Sequence, residues 1–365
     1  MKKSLLAMAL MGAFSGAAFA QSNVVIYGTL DAGINKTSNS ANTAIQEGGR
    51  DNSKLGFRGQ EDLGNGLKAL FHLEIRYEVD TGNIERSTRP LFQGQSRVGL
   101  QGGFGTVRLG RALTALQETT TQFEPWSGMP NVAGFQTDMM VAGYRAAVSG
   151  SGSDPLGAAG NSGNRFANAV WYNSPVFNGF QLNLNLGSKE NNGLATAIVG
   201  RGTTVAPQYA VGARAQAYPY SVSATYSAPG TMPQYAVYAG TERNSTEVKW
   251  HSLGAYYRPI PALKLMGSYG RQDMSHIRAI NDTMKAWVLG ANYNVGIGLV
   301  RFGYGQRDTD GEVKTKEISV GYEHNLSPRT YLYLDLSQKK VPVTTAPASS
   351  DMSQNHYALG IHHNF

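Results

Sequence analysis

The sequence predicts an all-β chain: a transmembrane, antiparallel 16-stranded β-barrel with a long third loop folded into the lumen. Three observations carry this. Segment after segment alternates apolar and polar residues with a period of two, an export signal precedes them, and the last segment runs to a terminal aromatic, Phe365. Side chains alternate across a strand, so a two-residue period separates two faces. Backbone N–H and C=O groups in hydrocarbon must be paired internally, and closing a sheet into a barrel removes its two edges.

The exported end comes first. Lys2 and Lys3 precede an apolar run over 5–11, and Gly16-Ala17-Ala18-Phe19-Ala20 ends in the small residues that a signal peptidase accepts. Residues 1–20 are therefore expected to be a signal peptide cleaved before Gln21, leaving 21–365 as the barrel. No other stretch approaches the ~20 consecutive apolar residues of a membrane helix. Hydrophobic content is 41%, with 44 Gly and 19 Tyr, which argues against a compact soluble core. Zero Cys excludes a disulfide scaffold and thiolate metal sites. The net charge of +7 is spread without a basic tail or cluster, so nucleic acid is not an expected partner.

The strands follow in order at 24–34, 52–60, 67–78, 96–102, 104–111, 166–173, 179–187 and 219–227. Then come 233–241, 247–258, 262–272, 284–293, 297–308, 313–323, 329–339 and 354–365. Phe71, Leu73, Ile75 and Tyr77 share one face against His72, Glu74, Arg76 and Glu78. Tyr357, Leu359, Ile361 and Phe365 oppose His356, Ala358, Gly360, His362 and Asn364. A soluble sandwich would alternate too, but with its polar face outward; the export signal, the number of strands and the aromatic density favour the membrane. Connections alternate between short turns rich in Gly, Pro and Asn, such as 102–105 and 294–296, and long ones at 112–165, 188–218 and 340–353. Short turns are expected on the periplasmic side and long loops outside.

A wide barrel needs something to narrow it. The 112–165 connection far exceeds the ~15 residues beyond which loops are usually functional or disordered. Within it, Gln122-Phe123-Glu124-Pro125-Trp126-Ser127-Gly128 mixes aromatic anchors, a rigid proline and a carboxylate. It is expected to fold inward, offering Glu124 and Asp138 to the lumen. Lys54, Arg58, Arg97, Arg108 and Arg165 are the candidate opposing basic side; each could instead pair with a wall carboxylate. Low dielectric beside a pore focuses fixed charge, so such a constriction would prefer anions.

Tyr27-Gly28-Thr29-Leu30-Asp31-Ala32-Gly33, Lys54-Leu55-Gly56-Phe57-Arg58-Gly59 and Glu61-Asp62-Leu63-Gly64 resemble the opening strands of Gram-negative general porins, closest to the β-proteobacterial branch. Arg97-Val98-Gly99-Leu100, Gly102-Gly103-Phe104-Gly105, Leu109-Gly110-Arg111, Trp171-Tyr172-Asn173-Ser174-Pro175 and Phe365 continue the resemblance. It implies a trimeric outer-membrane channel with three separate pores and an inward third loop. It further implies that Lys54, Arg58, Arg97 and Arg165 match the family's basic cluster, and that Phe365 serves as the C-terminal signal for the barrel-assembly machinery. Expected partners are a homotrimer, outer-membrane lipid and lipopolysaccharide, and small hydrophilic solutes including inorganic and organic anions.

No active site, metal site or cofactor is expected. The seven His residues form no zinc pattern, and the Gly-rich turns lack a following helix and a phosphate-binding lysine. Passive diffusion of small hydrophilic solutes with anion preference is the expected function. A substrate-selective organic-anion channel is its nearest alternative, and a loop-based adhesin or receptor a more distant one.

Overall fold

The structure, a computed structural model, describes residues 23–38, 44–47, 49–85, 91–129, 133–135, 165–188, 219–243, 249–273, 283–310, 313–342 and 351–365. The expected signal peptide and Asp138 lie outside the described residues. The strands are β1 (Asn23–Thr37), β2 (Ala44–Glu47), β3 (Lys54–Gly64), β4 (Leu67–Arg76), β5 (Gln95–Gly102) and β6 (Gly105–Leu113). They continue as β7 (Arg165–Asn173), β8 (Phe180–Gly187), β9 (Tyr220–Ser227), β10 (Tyr235–Arg243), β11 (Lys249–Ile260) and β12 (Leu263–Asp273). The last are β13 (Thr283–Val295), β14 (Gly298–Thr309), β15 (Thr315–Asn325), β16 (Thr330–Pro342) and β17 (Asp351–Asn364). One short helix, α1 (Ala115–Thr120), occupies the third loop.

Sixteen of these strands make the wall, each antiparallel to its neighbours from β3 round to β17. The seam is β1. Its first half pairs with β3, from Asn23 opposite Gln60 to Thr29 opposite Lys54; its second half pairs with β17, from Thr29 opposite Asn364 to Thr37 opposite His356. The four-residue β2 lies beside β1 over Ala32–Asn35, an addition within the first loop that the alternation did not reveal. The sixteen expected strands are all present. No helix among the described residues is long and apolar enough to cross a membrane, so strands do the crossing.

Burial is inverted relative to a soluble sheet. Along β15, Thr315, Glu317, Ser319, Gly321 and Glu323 are buried, whereas Lys316, Ile318, Val320 and Tyr322 are exposed. On β16 and β17, Asp335 and His362 are buried while Leu334, Leu336, Leu359 and Ile361 face out. Polar faces therefore line the inside and apolar faces meet the surroundings, the arrangement of a barrel in lipid. The turn between β3 and β4 shows why short connections suffice: Asn65 and Gly66 both take positive φ, 53° and 76°. Such left-handed residues match a tight hairpin to the sheet's twist.

Candidate functional site: a charged eyelet inside the barrel

After β6 the chain turns into the lumen and lies along the inner wall from β8 to β16. Thr114 caps α1, its hydroxyl accepting from the Gln117 N–H at 3.2 Å. The Ala115 and Leu116 N–H groups, which have no partner within the helix, donate to Asn185 Oδ1 (3.0 Å) and Ser221 Oγ (2.9 Å) on β8 and β9. Phe123 packs on Tyr238 and Tyr256 with ring centroids 4.5 and 5.5 Å apart. The Pro125 carbonyl accepts from Asn292 at 3.0 Å and from Arg301, and Trp126 Nε1 donates to Asp335 Oδ1 at 3.1 Å.

Glycines on the inner face let the loop approach so closely. A Cβ at Gly240 would come within 2.4 Å of Leu116, at Gly290 within 2.1 Å of Pro125, and at Gly303 within 2.2 Å of Phe135. The alternation places such glycines on the polar face but assigns them no purpose; their role is to seat the loop's anchors.

Buried charge locks the far end. Arg50, from the first loop, is fully buried and pairs with Glu323 at 2.9 Å and Asp335 at 3.1 Å. Arg301 joins Glu323 at 2.5 Å. Trp126 and Pro125 are thus tied to a network of two cations and two carboxylates, Arg301, Glu323 and Asp335 on β14–β16 and Arg50 from the first loop.

Glu124 departs from expectation. It is buried, and its carboxylate accepts the Gly128 N–H at 2.8 Å and the Phe135 N–H at 3.1 Å, closing the loop upon itself. Burial raises its carboxyl above the usual range, with those backbone donors and Arg301 opposing the shift. The acid that meets the basic side is Glu118 on α1, 3.1 Å from Arg97 Nη1, a residue the sequence did not single out.

The basic side occupies β3–β6, across the lumen from most of the loop. Register sets Val25, Arg58, His72 and Arg97 directly opposite one another on four successive strands. Arg97 lies opposite Gly110 and Arg108 opposite Gly99, so the two arginines are diagonal neighbours on the same face. Arg58 stacks over the Tyr27 ring at 5.0 Å, and the Tyr27 hydroxyl bonds both His72 and Glu74. Arg108 donates to Asn173. A cavity of about 320 Å³ is lined here by Asn23, Arg58, Leu70, His72, Arg97 and Arg108, among others. Lys54, four residues before Arg58 on the same face of β3, lies opposite Arg76 and pairs with Asp51 at 2.9 Å. Arg165 does not join the row: it is buried where β7 begins and donates to the Gly94 carbonyl at 3.2 Å. His72, which alternation marks only as polar wall, sits in the centre of the row because of strand register.

A sixteen-stranded barrel, apolar outside, with a loop pinned inside against a basic wall, is a channel rather than a cleft. Residues 6–341 match the family described as Gram-negative porin. The chain belongs to that family. It is 34% identical to outer membrane porin protein 32 of Delftia acidovorans, over 92% of this chain and 89% of that one. It is 27% identical to an outer membrane porin protein of Bordetella pertussis over the full length of both. Among solved structures it is similar to an anion-selective porin from Comamonas acidovorans, with TM-score 0.74, 26% identity, and 94% and 100% of the two chains covered. OmpT of Vibrio cholerae shares the fold at TM-score 0.60 and 12% identity, covering 94% of this chain and 98% of that one. This porin therefore resides in the Gram-negative outer membrane as a multi-pass barrel and passes small solutes and ions by diffusion, without catalysis.

Proposed function

We propose that this porin prefers anions, and that the row Arg58–His72–Arg97 with Arg108 and Lys54 sets the preference. The observation that carries this reading is the register: three side chains with two permanent positive charges lie level on adjacent strands, and Arg108 lies diagonal to them. Glu118 and Asp51 offset part of the charge, and Glu124, sealed inside the loop, faces its own backbone donors. The net field in the eyelet is positive, and low-dielectric walls concentrate it. The similar Comamonas acidovorans protein, described as anion-selective, supports the same sign. Neutralising Lys54, Arg58 and Arg97 together should lower anion-over-cation permeability with assembly intact. Reversal potentials in a planar bilayer under a salt gradient test this, and an unchanged ratio would exclude these residues.

A second reading follows from the cavity, which places Val25 and Leu70 beside the arginines. An organic anion with a carboxylate and an apolar body would find both partners there. Saturable conductance blocked by one class of carboxylate would favour this narrower selectivity; linear flux would favour the general pore. The family likeness further supports a homotrimer with three pores, and cleavage of residues 1–20 on export. Asp138 keeps its proposed place among the loop's acids. Phe365 pairs backbone to backbone with Gly28 at 3.1 Å in both directions and lays its ring over that glycine, consistent with a terminal aromatic that the assembly machinery recognises before the seam closes.

A further inference from the structure

The wall strand that follows β1 is interrupted. β2 and β3 lie on the same side of β1, with Glu47 opposite Ala32 and Lys54 opposite Thr29. Two residues of β1, Leu30 and Asp31, therefore stand against six positions of the partner, 48–53. A β-bulge ordinarily adds a single residue. The surplus here has to leave the sheet, and the described residues 49–53 turn into the lumen. Gly49 permits the exit, because a Cβ there would come within 2.2 Å of Asn35 and 2.5 Å of Ala358 on the inner face. Ser53 brings the chain back to the wall: its hydroxyl accepts the Asp31 N–H at 3.0 Å, and its carbonyl accepts the Tyr77 N–H at 3.1 Å.

This excursion carries Arg50, which is fully buried. Its guanidinium lies 5.0 Å from the Tyr333 ring centroid and 5.5 Å from that of Tyr331, and it pairs with Glu323 and Asp335. The same two carboxylates reach the third loop, Asp335 through Trp126 Nε1 and Glu323 through Arg301 and the Pro125 carbonyl. The next residue, Asp51, pairs with Lys54 at the start of β3, on the basic side. Neighbours in sequence thus grip the loop's anchor on one side of the eyelet and the basic wall on the other. Being buried, Arg50 meets no passing solute, so whatever it does for the pore it does through the groups it holds.

We propose that the inward bulge 49–53 is a strut that sets the width of the eyelet, with Arg50 as the positioning residue that fixes the Pro125–Trp126 corner of the third loop relative to β3. The strut governs the size of the pore and not its ion preference, so uncharged solutes test it separately from the basic row. The full-length porin is recorded in planar bilayers with a graded series of poly(ethylene glycols). R50Q takes the guanidinium from both carboxylates and loosens the corner: the largest permeant polymer should move up to the next member of the series, and the open-state current should become noisier. R50K keeps a positive charge beside the carboxylates, without the planar fork that spans both, and should bring the noise back toward the parent. R50Q alone strands buried negative charge, which is costly to a fold. R50Q/D335N avoids this, because Glu323 keeps Arg301 and the new amide oxygen still accepts from Trp126. It should show the same upward shift in exclusion limit with the far-UV circular dichroism and thermal midpoint of the parent, a separation that a role confined to holding the wall together would not give. A parental exclusion limit in R50Q/D335N, or a wider one that appears only with a lowered thermal midpoint, would overturn the strut.

Discussion

Arg97 and Glu118 act in opposition on passing ions. They meet at 3.1 Å with the carboxylate more exposed than the guanidinium, so Glu118 cancels part of the field that Arg97 contributes to the eyelet. A unit charge about 10 Å from an ion in water changes its energy by ~0.4 kcal/mol, roughly twofold in occupancy. Glu118→Gln should therefore raise anion-over-cation permeability about twofold, and Arg97→Gln should lower it by a similar factor. Reversal potentials of the two variants measure both, and a shift in the same direction would refute the opposition. Glu124 does a different task. Because burial raises its carboxyl, the ionised form is disfavoured in the folded loop, so its contribution to stability worsens as pH climbs from the ordinary carboxylate value of 4.5 through the raised one. The permanently neutral Glu124→Gln lacks that dependence. Melting temperatures of the two proteins across this window should show the parent's relative stability falling as pH rises; parallel curves would count against it. Both acids were hard to assign from sequence for physical reasons. Whether a carboxylate meets water or amide donors depends on a contact from Glu124 to Phe135, eleven positions on, and Glu118 sits on a helix too short to show a helical period.

At the scale of elements, the wall was legible and the loop was not. A two-residue period repeats within each strand, so all sixteen spans could be read, with ends off by a few residues: the expected span 24–34 falls where β1 covers Asn23–Thr37. The loop has no period, and its path is decided by partners on the opposite side of the barrel. Those partners include the glycines. If Gly303 holds Phe135 against the wall, Gly303→Val must displace it, because even a Cβ would sit 2.2 Å from the ring. The shift pushes the loop toward β3–β6, so conductance and the largest permeant solute should both fall. Gly230, in a turn where an added Cβ would meet nothing within 4 Å, is the control, and Gly230→Ala should leave conductance unaltered despite its strained φ of 120°. Planar-bilayer recordings with a series of uncharged solutes would show it. Equal exclusion limits in Gly303→Val and the parent would mean that the loop is held by its polar ties alone. Register was likewise invisible to a strand-by-strand reading, since nothing within β3, β4 or β5 alone states that Arg58, His72 and Arg97 come level.

For the whole molecule, stability depends on which solvent each face meets. Leu289 is 58% exposed on β13, between Trp287 and Tyr293, in the middle of the outward apolar belt. In water that exposure would be a liability; in a bilayer it is the hydrophobic match. Leu289→Arg should cost about 2–4 kcal/mol near the midplane of a membrane. Lys285→Arg, two positions up the same face from Trp287, keeps its charge at the interface and should cost close to nothing. Denaturant unfolding of the porin from phospholipid vesicles measures both. The inside of the wall makes the complementary case, because Glu317, Asp335 and His362 are buried there and hydrogen-bonded or ion-paired to neighbouring polar groups. An arginine that is tolerated at Leu289 as well as at position 285 would mean that this face does not meet hydrocarbon, and the barrel's inside and outside would have to be exchanged.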